Sequence, residues 1–428
     1  MNNARKLFVS LLLRAEREGY SNLLLNSALN GAELTEADKA FVTSAFYGVL
    51  ERRKTLDYIL NGLLKKPLSK TPPYTAAVLR AGAYQILYLT KIPESAAVNE
   101  SVKLLRRSKE KGNAGLCNAV LRRLCGHSAQ EFLQNANAAV RYSVEPWIIT
   151  ALAQDYPNWE AFLQNALCPP PVHIRLNTIA APAAQTQQIL AQNGVTLTPQ
   201  GPSGCFKTAG LRGVERLQQQ TGYGFFVQEL ASQLCTGFLQ AQPGQRILDC
   251  CAAPGGKSFC TALNVQNKAE IISCDVHEHR VGLIQKNAER LGLTCIQPRL
   301  QNAAVYCKNL GLFDRVLCDV PCSGLGVMRR KPELKYKQQQ ECAALSPLQL
   351  QILTNAARYL KPGGRLIYST CTVLKAENEK VVQAFLAANP QFCPLPLGGS
   401  LGEQSMHTYF PPETEADGFF VAALGRRA

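Results

Sequence analysis

Several broad classes are excluded by what this 428-residue chain does not contain. No uninterrupted apolar run reaches the ~18–20 residues that a helix needs to cross a bilayer. The N-terminal apolar stretch is short, has no small-residue cleavage site and meets charge again at Arg14, so no secretory signal is expected. The protein is therefore read as soluble and cytoplasmic. Neither CxxC nor HxxxH, the ligand pairs of common zinc sites, occurs. Cys318 and Cys322 are spaced CxxxC with no second pair, and the five histidines are scattered, so no metal is expected. His277 and His279 read as solvated residues at a helix start. The sixteen cysteines do not form a disulfide framework either: Cys235, Cys250, Cys260 and Cys274 fall inside apolar runs and are expected to be reduced. GxGxxG is absent. Gly256-Lys257-Ser258 looks like the end of a phosphate loop, but Cys251 stands where that loop needs its first glycine, so the nucleotide triphosphatase reading is weak.

Cations are what the chain has in excess. There are 46 Lys+Arg against 31 Asp+Glu, a net charge of +15. Residues 1–125 carry a net +10 of this, under a third of the length holding two thirds of the excess. A concentrated basic patch on a folded domain points to a polyanion, nucleic acid first. A hydrophobic fraction of 46% is ordinary for a globular protein, and the length suggests about three domains.

Residues 1–130 read as all-helical. Apolar residues recur at three- and four-residue spacings in Leu7, Leu11, Leu12 and Ala15, and again from Ala76 to Ile86. Thr35 is placed to cap the run 37–50, and Pro72-Pro73 to open the next helix. Arg106 and Arg107, then Arg122 and Arg123, put cations at helix ends. Residues 131–240 read as a small α/β linker domain, with a strand at 172–179 and a helix at 183–192. From 241 to 428, apolar strands (246–250, 271–274, 295–298, 315–318, 365–369) alternate with helices (256–263, 278–291, 347–360, 376–386). That alternation predicts a doubly wound, Rossmann-like parallel sheet. Ser346-Pro347 is expected to cap the third of these helices and Gly363-Gly364 to end it.

Four segments at strand ends carry the chemistry. Asp249 is followed by the small-residue loop Cys251-Ala252-Ala253-Pro254-Gly255-Gly256-Lys257, which lets a ligand approach backbone N–H groups. Asp275 ends the next strand, about 20 residues on, where an acid suits a ribose diol or a helix cap. Asp319-Val320-Pro321-Cys322-Ser323-Gly324 follows the fourth strand, and Ser369-Thr370-Cys371-Thr372 ends the last. Neighbouring strand ends can bring Asp319, Cys322 and Cys371 into one pocket. A lone strand-end cysteine is more often a small core residue; two in polar loops are harder to read that way.

CCAAPGGKS, DVPCSGLG and STCTVLKAENE resemble the motifs of RNA (cytosine-5) methyltransferases that use S-adenosylmethionine, and Asp417-Gly418-Phe419-Phe420 is similar to that family's ending. The basic N-terminal region, with Asn118-Ala119-Val120-Leu121-Arg122-Arg123, resembles the NusB antitermination fold. The fusion resembles the RsmB (Sun/Fmu) family of bacterial 16S rRNA methyltransferases. The resemblance implies a Rossmann-like methyltransferase domain with an all-α NusB-like N-terminal domain, acting on a specific cytosine of 16S rRNA of the cytosine 967 type. It implies that Cys371 adds to cytosine C6, that Cys322 assists removal of the C5 proton and release, and that Asp319 binds the base edge. For the cofactor it implies the loop from Cys251 to Lys257, Asp275 on the ribose, Asp319, and Asn302 at the adenine, where the family has an acid. Arg280, Arg329, Arg330 and Lys331, with Arg106, Arg107, Arg122 and Arg123, are the candidate RNA contacts. The expected substrate is 16S rRNA, free or in an early assembly intermediate, and the protein is expected to be monomeric with no membrane partner. A non-catalytic RNA-binding factor would not need both cysteines and the aspartate; a tRNA methyltransferase would keep the same chemistry.

Overall fold

The computed structural model describes residues 3–18 and 21–427. The chain divides into two compact units, Met1–Cys168 with Met328–Gln338, and Pro169–Val327 with Gln339–Ala428.

The first unit is helical. Helices α1 (Asn3–Glu18), α2 (Ser21–Asn30), α3 (Glu36–Glu51), α4 (Arg53–Leu63), α5 (Pro73–Tyr88), α6 (Glu94–Arg106) and α7 (Ala114–Arg122) enclose one core that includes Phe8, Phe46, Val78, Leu79 and Leu121. Thr35 caps α3, accepting from Asp38 N at 3.1 Å. Pro73 opens α5, whose first turn is satisfied from outside: Glu110 accepts from Thr75 N at 2.7 Å. Helices continue past the expected boundary at 130, as α8 (Ala129–Phe132), α9 (Ala138–Arg141), α10 (Pro146–Asp155) and α11 (Trp159–Asn165). Two of these last four residues each, too short to show a helical period in sequence. The segment Met328–Gln338 is anchored here by Tyr336, which donates to Leu50 O at 2.6 Å and meets Ser143 Oγ at 2.8 Å. Lys335 beside it is fully buried, with Nζ 3.4 Å from Glu51 O. Burial lowers its pKa to about 8 against the opposing pull of Glu51.

The second unit holds two sheets. Strands β1 (Val172–Leu176), β2 (Thr196–Pro199), β3 (Cys205–Ala209) and β4 (Phe225–Val227) form an antiparallel sheet in the order β2-β3-β1-β4, with α12 (Ala183–Gln192) and α13 (Val214–Gln220) in the connections. After α14 (Leu230–Phe238) comes the larger sheet. It runs β5 (Arg246–Asp249), α15 (Gly256–Asn264), β6 (Glu270–Asp275), α16 (Glu278–Arg290), β7 (Ile296–Leu300), β8 (Phe313–Asp319), α17 (Gln339–Ala343), α18 (Leu345–Ala357), β9 (Leu360–Thr370), α19 (Glu379–Ala388), β10 (Phe392–Pro394), β11 (Met406–Tyr409) and β12 (Phe419–Arg426). The order is β10-β12-β9-β8-β5-β6-β7, with β11 on β12. Strands β5 to β9 are parallel, and β12 closes the β9 side antiparallel.

The strands are apolar on both faces, as a covered parallel sheet requires. Ile247, Ile271, Leu317 and Ile367 pack with Phe238, Phe259 and Ile284 of α14, α15 and α16. Their neighbours Leu248, Ile272, Val316 and Leu366 pack with Leu353 and Phe385 of α18 and α19. Two local expectations are corrected. Helix α18 begins at Leu345 with no side-chain cap, because the Ser346 hydroxyl instead donates to Ala376 O at 3.0 Å. Gly363-Gly364 does not end that helix, which stops at Ala357; the pair lies where the β8–β9 register is broken, between Phe313 and Arg315.

Candidate active site

Strand β5 has β6 on one side and β8 on the other, so the connections leave in opposite directions at this point of the sheet. A crevice outside the carboxyl ends of β5 and β8 is where such folds bind ligands. All four chemical segments end there.

The loop after β5 turns at Gly255, whose φ of 109° is a conformation that glycine adopts easily. A Cβ there would also collide with the Phe259 ring. Helix α15 then opens at Gly256 with no side-chain cap. Asp249 lies beneath the loop, 1% exposed, accepting from Ser258 Oγ at 2.6 Å while Ser273 donates to Ser258 at 2.8 Å. Its Oδ1 is buried without a hydrogen-bond partner. Burial pushes the carboxyl pKa up to about 7, against the Ser258 bond. Asp275 is also buried, accepting from His277 N at 3.0 Å, with Arg280 Nη1 at 3.2 Å. Arg280 also donates to Ala253 O at 2.9 Å, so this expected RNA contact is drawn to the cofactor-side loop by two acceptors. Asn302 is exposed, and its carbonyl accepts from Ala304 N at 2.9 Å, a turn that ties it to its own loop.

The cysteines meet. Cys322 Sγ and Cys371 Sγ are 3.2 Å apart. Strands β8 and β9 make this possible because Asp319 is in register with Ser369, so the two loops leave side by side. Asp319 is held at both oxygens: Lys257 Nζ lies 2.7 Å from Oδ2 and Ser369 Oγ donates to Oδ1 at 2.8 Å. Burial works against the Lys257 ammonium, but Asp319, with Cys235 and Cys371, holds its pKa above the ordinary lysine range. Lys257 also stands 5.2 Å over the Phe419 ring of β12. The Cys322 thiol is pushed well up, first by its hydrogen bond to Cys371, then by burial and by the charges of Cys371, Glu377 and Asp319.

The support for these cysteines is less legible in sequence. Glu377 is 2% exposed; its Oε2 accepts from Ser323 N at 2.9 Å and from Gln349 Nε2 at 2.8 Å, and Gln349 also donates to Pro321 O at 2.9 Å. Asn378 accepts from Thr370 Oγ1 at 2.6 Å and donates to Thr372 O at 3.1 Å. Gly326 N donates to Cys371 O at 3.0 Å, and a Cβ on Gly326 would overlap the Gly418 carbonyl. Glu377 and Asn378 fall within the STCTVLKAENE segment, though with no role read from it; no pattern signalled Gln349. Gln228 was missed as well: it is 8% exposed, both its amide atoms are buried without partners, and it lies beside Gly256.

The remaining cations lie on the helical unit. Arg106, Arg107, Arg122, Arg123 and Lys331 are exposed; Arg329 and Arg330 are partly buried, and Arg329 Nη1 lies 3.3 Å from Asn165 Oδ1. No group of three or more potential metal ligands occurs among the described residues, and no helix among them is long and apolar enough to cross a membrane.

A doubly wound methyltransferase-type domain carrying a two-cysteine site, joined to a NusB-like helical domain, is the class that fold and site define. Comparison with known proteins gives the family. Residues 236–425 match the model for 16S rRNA methyltransferase RsmB/F, residues 2–125 the NusB family, and residues 145–205 the ferredoxin-like domain of RsmF/B-like methyltransferases. The chain is 33% identical over 449 residues to a probable ribosomal RNA small subunit methyltransferase B of Bacillus subtilis, covering 99% of each chain. It is 32% identical over 444 residues to ribosomal RNA small subunit methyltransferase B of Vibrio cholerae, covering 99% of this chain and 98% of that one. The chain belongs to the RsmB/F family of 16S rRNA methyltransferases. Among solved structures, that of PH0851 matches with a TM-score of 0.83 at 22% identity, covering 100% of this chain and 99% of that one. NSun6 from Pyrococcus horikoshii, solved with SFG, matches with a TM-score of 0.57 at 18% identity over 65% of this chain and 97% of that one.

Proposed function

We propose that the protein transfers a methyl group from S-adenosylmethionine to C5 of one cytosine in 16S rRNA, through a covalent bond between Cys371 and cytosine C6. The observation that carries this reading is the 3.2 Å approach of Cys322 to Cys371 beside the Lys257–Asp319 pair. Simple binding of RNA needs no such pair of thiols.

The residues present suit the cofactor. The loop turns at Gly255 into the start of α15, the buried Asp249 Oδ1 lacks a partner, and Asp275 presents a buried carboxylate at the adjacent strand end. Asp275 would accept from the ribose hydroxyls, the 251–257 loop would hold the methionine portion, and Asn302 would lie at the adenine. When bound, S-adenosylmethionine supplies an electrophilic methyl group.

Each residue of the thiol pocket then has a task. The Cys371 thiolate attacks C6, and the ring electrons that it displaces make C5 nucleophilic. Asp319, fixed by Lys257 and Ser369, holds the N3/N4 edge of the base and keeps a proton on N3, which neutralises the negative charge that attack places on the ring. Lys257 faces Cys371 as a cation and favours its negative form. Cys322 assists removal of the C5 proton after methylation; the electron pair of that C–H bond re-forms the C5–C6 double bond and expels Cys371 as thiolate. Cytosine reaches such a pocket only out of its stack, so an unpaired or flipped base is the substrate.

Methyl transfer from labelled S-adenosylmethionine to unmodified 16S rRNA tests the reading, with tRNA and Cys371→Ala as comparisons. One labelled cytosine in 16S rRNA, and none with Cys371→Ala, is expected. Full activity of Cys371→Ala contradicts the mechanism, whereas activity on tRNA alone contradicts the substrate.

A further inference from the structure

The helical unit carries a cavity of about 440 Å³ outside the two-cysteine site. It lies between the loop that follows α4 and the side of α7. Its walls are aliphatic: Leu63 and Leu64 on one side, Leu116, Ala119 and Val120 on the other. Leu116 is 41% exposed, an apolar side chain open to solvent. The rim is cationic, with Lys65, Lys66, Lys70 and Arg123, and no acid lines the cavity. Glu110, in the turn before α7, is committed to α5, where it accepts from Thr75 N at 2.7 Å and Thr75 Oγ1 at 2.6 Å. Arg123 is held in place, since its Nη1 donates to Leu63 O at 3.2 Å.

Four cations with no opposing acid select a polyanion. An apolar hollow within that rim selects more than phosphate. A duplex surface offers phosphates but no group to fill the hollow, whereas a single-stranded loop offers an unstacked base with phosphates on either side. The volume falls within the range of small-ligand pockets. We propose that this cavity holds one unstacked nucleotide of the substrate RNA, its base against the aliphatic wall and the Arg123 guanidinium and its flanking phosphates on Lys65, Lys66 and Lys70. The proposal rests on the RNA methyltransferase reading above and adds a recognition point remote in sequence from the cysteines. An apolar peptide would fill the hollow equally well but leave the cationic rim unanswered.

The test uses the full-length protein and an unmodified 16S rRNA transcript, with and without 4-thiouridine for photocrosslinking. Ala119 is exposed, so Ala119→Phe fills the cavity without disturbing the core. Expected are crosslinks to peptides spanning 63–72 or 114–123. Ala119→Phe should weaken rRNA binding and raise the rRNA KM by about tenfold, the scale of one base contact, while the S-adenosylmethionine KM stays unchanged. Lys65→Ala/Lys66→Ala/Lys70→Ala should reduce the slope of log affinity against log salt by about 2, as loss of three single-strand phosphate contacts requires. Removing three charges outside the cavity, Lys6→Ala/Lys39→Ala/Lys91→Ala, should leave that slope in place. Wild-type rRNA affinity in both cavity variants, with an active wild-type enzyme, overturns the nucleotide pocket alone and points to a protein occupant. A wild-type protein that binds no rRNA overturns the pocket and the RNA methyltransferase reading together.

Discussion

In the proposed mechanism the two thiols, 3.2 Å apart, divide the labour. The Cys322 thiol is pushed well up, first by its hydrogen bond to Cys371 and then by burial and the charges around it; in that mechanism Cys371 attacks the base and Cys322 acts in the later step. The strand ends pointed to Cys371, Cys322 and Asp319, and the loop before α15 to Lys257, but nothing in the sequence paired Lys257 with Asp319, 62 residues away. Lys257→Met should reduce kcat by about 100-fold, the scale for loss of one preorganised charge, with little change in the rRNA KM; single-turnover kinetics would show it. Asp249 makes a separate prediction about stability. When folded it keeps its proton up to about pH 7, and when unfolded only to the usual carboxyl range. Between those values the folded state binds more protons, so stability falls as pH rises from about 4 to about 7. Asp249→Asn should flatten that part of the profile in denaturant titrations at fixed pH values; an unchanged slope would show that Asp249 does not titrate there.

At the scale of elements, the site depends on how β8, β9 and the start of α19 are fastened. The strands and most helices of the larger sheet were legible because apolar runs and amphipathic periods alternate from residue 246 onward. Their ends were less so, since polar side chains at helix starts respond to tertiary partners. Helix α19 begins at Glu379 rather than at 376 because Glu377 and Asn378 turn inward to hold the two cysteine loops. Ser346 left its expected cap for Ala376 O, a long-range bond that no local pattern reveals. Glu377→Ala should remove the bonds to Ser323 N and Gln349 and cost about 2 kcal/mol of stability. Because the Cys322 loop loses its anchor, kcat should fall more than either KM; equal loss in kcat and KM would place Glu377 outside the catalytic geometry. Gly326→Ala would force the Cys322 loop away from Gly418 and should be more damaging than any nearby surface change.

Over the whole molecule, charge is the property that sequence and structure report alike. The net +10 of residues 1–125 lies in the helical unit, and its arginine pairs lie at the ends of α6 and α7, as the helical periods predicted. The rRNA KM should therefore rise steeply with salt while the S-adenosylmethionine KM stays flat; parallel behaviour of the two would argue against phosphate contacts on this unit. Less legible was the reach of that unit. Its helices run on to Asn165, and residues 328–338 join it from the middle of the catalytic sequence, because Lys335 and Tyr336 find their partners at Glu51, Leu50 and Ser143. Partners 193 to 286 positions apart leave no periodic trace.

If Cys371 bonds to the base and Cys322 helps to free it, removing Cys322 should trap the bonded state. Incubation of Cys322→Ala with 16S rRNA and S-adenosylmethionine, followed by denaturing electrophoresis, tests this directly. A protein–RNA species that survives denaturation is expected with Cys322→Ala and should disappear in Cys322→Ala/Cys371→Ala. A stable adduct that persists without Cys371, or normal turnover by Cys322→Ala with no adduct, would contradict it.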